Sequence, residues 1–197
     1  MKLFANTHAK IGFKPALFLD RDGVINIDKG YVHLKKDFEF FEDVFQLINI
    51  ANRFDYLVIV ITNQAGIGRG YYSKAQFEKI TYWMLSELKK NNAEIDALYY
   101  SPFHPVKGKG KYLKKENTRK PGSGMFDEAA KDFKIDIKNS IMIGDKLSDM
   151  EASSRFGIRN NYLFDLNQEL YQTKKNILFH SVSSLLSIKD LILNPHS

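Results

Sequence analysis

Four short apolar runs punctuate the chain: Ala16–Leu19, residues 57–61, Ala97–Ser101 and residues 140–143. The run at 57–61, Leu-Val-Ile-Val-Ile, is unbroken and rich in β-branched residues, the pattern of a parallel strand buried on both faces. Between the runs the apolar positions change period. Phe41, Val44, Phe45, Ile48 and Ala51 recur at helical spacing, as do Phe77, Ile80, Met84, Leu85 and Leu88. The second set follows Ser73-x-x-Gln76, a capping box. A further helix is predicted from Gly124 or Met125 to about Phe133, and a shorter one over 148–156, closed by Gly157. Residues 158–164 return to the sheet, and 183–193 read as a helix packed on the domain. The stretch 102–121 reads as loop and the polar stretch 168–176 as a linker. This alternation predicts an α/β fold with a mainly parallel sheet. No repeat or composition shift divides the 197 residues, so one domain is expected, with a core over about 16–165 and a tail over 166–197.

The polar residues that follow the strand-like runs carry the chemistry. Asp20-Arg21-Asp22-Gly23-Val24-Ile25 follows the first run, Thr62-Asn63-Gln64 the second, and Gly144-Asp145-Lys146 with Asp149 the fourth, while Arg119-Lys120-Pro121 precedes a helix. Open α/β sheets bind ligands beyond the carboxyl ends of their strands. Hydrolysis of a phosphate ester needs a nucleophile, a proton donor for the leaving oxygen, and cations for the phosphoryl charge. Asp20, first after its strand, is the candidate nucleophile, forming an acyl phosphate. Asp22 is placed to protonate the leaving alkoxide and then activate water. Asp145 adds a third carboxylate for a hard cation with oxygen ligands, Mg²⁺. Lys120 neutralises another phosphoryl oxygen, and Thr62 with the N–H groups after it donates hydrogen bonds to the phosphate.

Composition changes this picture little. The net charge of +6 owes much to Lys107, Lys109, Lys111, Lys114, Lys115, Arg119 and Lys120. Three readings of that cluster stand: a solvated loop, a nucleic-acid patch, or a funnel for a highly anionic small substrate. With no cysteine there are no disulfides and no thiolate metal sites. No apolar run approaches ~18 residues, and residues 1–14 lack the apolar core of a signal peptide. No membrane partner and a cytoplasmic location are therefore expected.

The four motifs resemble those of the haloacid dehalogenase (HAD) superfamily of Mg²⁺-dependent phosphatases: Asp20-Arg21-Asp22-Gly23-Val24, Thr62-Asn63, Lys120 and Gly144-Asp145-Lys146-Leu147-Ser148-Asp149. That resemblance implies a Rossmannoid three-layer fold with Asp20 as nucleophile and Asp22 as general acid/base. It implies Mg²⁺ on the Asp20 carboxylate, the Asp22 main-chain carbonyl and the Asp145 carboxylate, with Asp149 behind them. The short stretch between the first two motifs leaves no room for a large cap domain. Over about 16–164 the chain is more closely similar to the D-glycero-D-manno-heptose 1,7-bisphosphate 7-phosphatase family. The signatures are Asp28-Lys29-Gly30-Tyr31-Val32-His33, Thr62-Asn63-Gln64-Ala65-Gly66-Ile67-Gly68-Arg69-Gly70-Tyr71 and Arg119-Lys120-Pro121-Gly122-Ser123-Gly124-Met125. The fourth runs from Gly144 to Met150. This closer resemblance implies sugar contacts from Asp28, Lys29, Gly30 and Tyr31. It implies phosphate or substrate contacts from Thr62, Asn63, Gln64, Ala65, Arg69, Arg119, Lys120 and Lys146. Lys120 would serve the transferred phosphate and Arg119 the distant one, gripped bidentately.

The chain departs from that family at one place. Members carry a structural Zn²⁺ on Cys-x-His and Cys-x-Cys before the Arg-Lys-Pro motif, where this sequence has Ser101, Phe103, Glu116 and Thr118. No structural Zn²⁺ is expected, and packing of Phe103 with Tyr112 is the expected substitute. The expected function is hydrolysis of the 7-phosphate of a heptose bisphosphate by a monomer that binds no nucleic acid. The competing functions are a histidinol-phosphate phosphatase and a nucleic-acid 3′-phosphatase using the basic loop.

Overall fold

The computed structural model describes residues 1–7, 12–166 and 177–193; the stretch 168–176, read above as a linker, lies outside them. One seven-stranded sheet organises the chain. Its strands are β1 (Lys2–Ala5), β2 (Ala16–Leu19), β3 (Leu57–Asn63), β4 (Ala97–Ser101), β5 (Ile141–Gly144), β6 (Asn160–Phe164) and β7 (His180–Val182), in the spatial order β1-β4-β3-β2-β5-β6-β7. Every neighbouring pair is parallel except β1, which runs antiparallel to β4 at the edge. The helices are α1 (Glu42–Arg53), α2 (Ala65–Arg69), α3 (Lys74–Lys90), α4 (Gly124–Asp132), α5 (Leu147–Phe156) and α6 (Lys189–Leu193).

Side chains alternate across a strand, and the central strand is buried on both faces. Leu17 and Leu19 join a core with Val44, Leu47 and Ile48 of α1 and Phe77, Ile80 and Met84 of α3. Ala16 and Phe18 join the opposite core with Met125, Phe126 and Ala129 of α4 and Met150 of α5. Phe18 sits 4.9 Å from Phe126, ring centre to ring centre. The result is a three-layer α/β sandwich, as the apolar periods require.

The local signals hold. Ser73 Oγ accepts from the Gln76 N–H at 3.1 Å while Gln76 Oε1 accepts from the Ser73 N–H at 2.8 Å. Gly157 caps α5 with φ +109°. Several boundaries differ from the expectation. β3 runs two residues beyond 57–61, so Thr62 and Asn63 belong to the strand. Residues 183–193 form a 3₁₀ turn, Leu185–Ile188, leading into α6 rather than one helix. The loop 102–121 contains a 3₁₀ turn, Gly110–Tyr112, and a bridge between His104 and Leu113. β1, α2 and β7 were not signalled.

The sheet order places a site. From β2 the chain goes to β3 and β4 on one side, then crosses to β5 and β6 on the other. The crevice beyond the carboxyl ends of β2 and β5 is therefore a topological switch point. Asp20 and Asp145 are the first residues after those two strands.

Candidate active site

Asp20 is held at the end of β2 by its own N–H, which donates to Ile143 O at 3.0 Å, and by the Arg21 N–H, which donates to Asp20 Oδ1 at 2.7 Å. Its second oxygen lies 2.9 Å from Lys120 Nζ. That ammonium, fully enclosed, also lies 2.7 Å from Asp149 Oδ1 and donates to Ile61 O at 2.8 Å. Burial raises the Asp20 pKa, the Lys120 charge opposes the rise, and Asp149 adds to it. Burial alone would discharge Lys120, but Asp149 and Asp20 outweigh it and hold the ammonium charged. Asn63 fixes the Lys120 backbone from both sides, accepting from its N–H and donating to its carbonyl, each at 3.1 Å.

Asp145 faces Asp20 from β5. Its Oδ2 lies 2.9 Å from Lys146 Nζ, and its Oδ1 is buried without a partner. Burial first, then the Asp20 charge, pushes its pKa up to about 7. A ligand oxygen from each of Asp20, Asp145 and Asp149 lies within 4.8 Å of the others. Gly23, at φ +89°, lets the loop after β2 come this close: a Cβ there would stand 2.3 Å from Asp145 Oδ2. Buried like charges and an unpartnered carboxylate oxygen are the setting of a hard divalent cation, so the residues fit one. Asp149 Oδ2 accepts from the Lys146 N–H at 3.0 Å and its Oδ1 lies 2.7 Å from Lys120 Nζ, so Asp149, like Asp20, shares the Lys120 charge.

The Asp22 carboxylate points elsewhere. It accepts from Arg21, from Asn26 Nδ2 at 3.1 Å and from Gln64 Nε2 at 2.9 Å. Gln64 also donates to Thr62 Oγ1 at 3.0 Å and accepts from the Tyr72 hydroxyl at 2.6 Å, so it is fixed at both ends of its amide. The Asp22 carboxylate is thus taken up by Arg21, Asn26 and Gln64.

Beside these groups lies a cleft of about 610 Å³, which Asp145 itself does not border. Asp20, Asp22, Asp28, Gly30, Tyr31, Thr62, Asn63, Gln64, Ala65, Arg69, Arg119, Lys120, Lys146 and Asp149 all border it. Lys29 does not: its ammonium pairs with Glu39 at 2.8 Å on the surface. Lys146 bridges Asp145 to Asp28 at 3.1 Å, tying the strand-end carboxylates to the 28–31 loop. Burial pushes the Asp28 carboxyl up, but the Gly30 N–H and Lys146 outweigh it and leave the group lowered. On the far wall Arg69 hydrogen-bonds to the hydroxyls of Tyr31 and Tyr71. His104 and Tyr72 also line the cleft: His104 is a loop residue at the site, as its place in the 102–121 loop suggests, while nothing in the sequence signalled Tyr72.

A family model described as polynucleotide kinase 3 phosphatase matches residues 17–161. A D-glycero-beta-D-manno-heptose-1,7-bisphosphate 7-phosphatase of Vibrio cholerae is 45% identical over 150 residues, 76% of this chain and 81% of that one. The alpha-specific counterpart of Burkholderia mallei is 46% identical over 148 residues, 75% and 78% of the two chains. The chain belongs to the heptose 1,7-bisphosphate 7-phosphatase family of HAD phosphatases. Among solved structures, a HAD-like phosphatase from Mesorhizobium loti superposes with TM-score 0.83 at 31% identity, covering 93% of this chain and 87% of that one. A D,D-heptose 1,7-bisphosphate phosphatase from B. bronchiseptica, complexed with magnesium and phosphate, shares the fold at TM-score 0.77 and 24% identity, covering 92% and 99%.

The loop before Arg119 is held by contacts of its own side chains and backbone. Ser101 Oγ lies 3.5 Å from Thr118 Oγ1, and Phe103 packs on Tyr112 with ring centres 5.9 Å apart. Lys114 sits over the Phe103 ring at 4.8 Å and pairs with Glu116. The Lys109 N–H donates to Gly68 O at 2.8 Å, and Arg119 Nη1 to Phe103 O at 3.1 Å. Packing, a hydroxyl contact and an ion pair thus engage residues 101, 103, 116 and 118. His104 Nδ1 accepts from the N–H groups of Val106 and Lys107 at 3.2 and 2.9 Å, which leaves Nε2 as the protonated nitrogen. Burial, then Arg119, lowers its pKa.

Proposed function

We propose that this chain is a Mg²⁺-dependent phosphatase that removes the 7-phosphate of D-glycero-D-manno-heptose 1,7-bisphosphate through an aspartyl-phosphate on Asp20. The observation that carries the reading is the pair of carboxylates after β2, with Lys120 fixed 2.9 Å from Asp20 in a cleft lined by further cations. An Asp20 oxygen attacks phosphorus and the bond to the sugar's O7 breaks. Asp22, entering as the acid, gives its proton to the departing alkoxide. A water then attacks the phosphoaspartate and Asp22 takes its proton. The phosphorus–Asp20 bond breaks, releasing inorganic phosphate and restoring both carboxylates to their starting states.

Lys120 meets a phosphoryl oxygen as a point charge, and Thr62 with the N–H groups after it supplies neutral donors. The carboxylates of Asp20 and Asp145 and the Asp22 carbonyl would hold Mg²⁺, which would supply positive charge to offset the repulsion between phosphate and carboxylates. Asp28, Gly30 and Tyr31 face the sugar. Arg119, with Arg69 nearby, remains for the 1-phosphate, which a monophosphate substrate would leave unmatched. Relatives of both anomeric specificities stand at equal similarity, 45% and 46% identity, so overall identity does not select the anomer. The test is ³¹P NMR of the product: the 7-phosphate signal should vanish first, leaving heptose 1-phosphate. Release of the 1-phosphate would refute the assignment.

A further inference from the structure

Arg21 lies between the two carboxylates of the first motif and reaches neither the cleft nor the solvent. It is fully buried, the largest such side chain among the described residues. Nε and Nη2 donate to Asp22 Oδ1 at 3.2 and 2.7 Å, and Nη2 also approaches Asp22 Oδ2 at 2.8 Å. The same Nη2 donates to Val32 O at 2.7 Å. The rings of Phe77 and Phe38 flank the guanidinium at 5.6 and 6.0 Å. Nη1 is buried without a partner.

A buried ion pair contributes little net stability, and an apolar pair of similar volume often does as well or better. The unpartnered Nη1 makes the arrangement costlier still. Stability therefore does not account for a guanidinium at this position. Geometry does. The fork fixes the plane of the Asp22 carboxylate and, through Val32, ties it to the loop whose Asp28, Gly30 and Tyr31 line the cleft. Asp22 Oδ1 takes two of the Arg21 contacts and that of Asn26, and Oδ2 takes the third Arg21 contact and that of Gln64, so both oxygens are held in place.

We infer that Arg21 is a positioning residue: it holds Asp22 in register with the substrate loop, and the chemistry depends on it through Asp22. This rests on the proposed role of Asp22 as acid and base.

The test is a double-mutant cycle of Arg21→Met and Asp22→Asn, measured on heptose 1,7-bisphosphate with Mg²⁺. Arg21→Met should fold and lose at least about 30-fold in kcat, part of the 10²–10⁴ that a general acid/base supplies, with KM near that of the wild type. In the Asp22→Asn background it should cost less than about threefold more, because the group it positions is already disabled. Arg21→Lys keeps the charge without the fork and should recover only part of kcat. If Arg21→Met does not fold, the same cycle is run with Arg21→Lys. The inference is overturned if Arg21→Met keeps kcat within about threefold of wild type, or if it slows Asp22→Asn as much as it slows the wild type. Should Asp22→Asn alone turn over like wild type, the acid/base reading fails first and takes this inference with it.

Discussion

Replacing Lys120 by Met removes the one cation shared by two buried carboxylates. The ammonium lies 2.9 Å from Asp20 and 2.7 Å from Asp149, and all three side chains are almost wholly out of solvent. Removing one partner of a buried pair leaves an uncompensated charge, at about 3–5 kcal/mol. For a chain of this size each kcal/mol moves the melting point by about 2–4 °C, so the cation-free variant should melt about 6–20 °C below wild type. Adding Asp149→Asn to Lys120→Met restores the wild-type charge balance and should return most of the lost stability. Activity should not return, since the phosphoryl oxygens still lack their cation, a loss of about 10²–10³ in kcat. The assay is thermal or urea denaturation in chelator, beside turnover at saturating Mg²⁺. Stability of Lys120→Met within about 1 kcal/mol of wild type, or a double variant no more stable than the single, would refute the coupling of Lys120 to these two aspartates.

Three further outcomes are expected. Asp20→Asn should abolish turnover, because an amide is no nucleophile here; retention within about tenfold, or about 1.4 kcal/mol of barrier, would remove Asp20 from that role. Mg²⁺ should bind more weakly below pH about 7, since it must displace the proton that burial and Asp20 hold on Asp145. The raised pKa means the folded, cation-free protein binds more protons than the unfolded chain between about pH 4 and 7. Its stability from this group therefore falls as pH rises across that window, and the Mg²⁺-induced rise in melting point should be larger at pH 8 than at pH 6; equal rises would contradict the Asp145 assignment. Purified protein should hold no stoichiometric zinc, and a zinc-selective chelator should leave Mg²⁺-supported activity unchanged; a tightly held zinc whose removal abolishes activity would expose a ligand set other than the residues at 101, 103, 116 and 118.

Much of this architecture was legible because the strands that carry the site are buried on both faces and so appear as unbroken apolar runs. Carboxylates at their ends announce the chemistry by position. What stayed hidden depends on tertiary contacts. α2 is Ala-Gly-Ile-Gly-Arg, a poor helix former. Its glycines are explained by space, since a Cβ on Gly66 would stand 2.2 Å from Tyr72 and one on Gly68 2.2 Å from Pro102 O. β1 carries a weak apolar pattern, and its pairing with β4 joins residues almost a hundred positions apart. Lys29 looked like its neighbours in the 28–31 signature, yet Glu39, ten residues on, draws it to the surface. Arg21 stood in the first motif without a role. Its depth came from Phe38 and Phe77, which no local pattern links to it.

The most direct measurement is kcat/KM for phosphate release from heptose 1,7-bisphosphate, histidinol phosphate and an oligonucleotide 3′-phosphate, under one Mg²⁺ concentration. A heptose bisphosphatase gives its highest value with the bisphosphate, whose second phosphate the proposed function assigns to Arg119. A higher value with histidinol phosphate or with the oligonucleotide would contradict the proposed function.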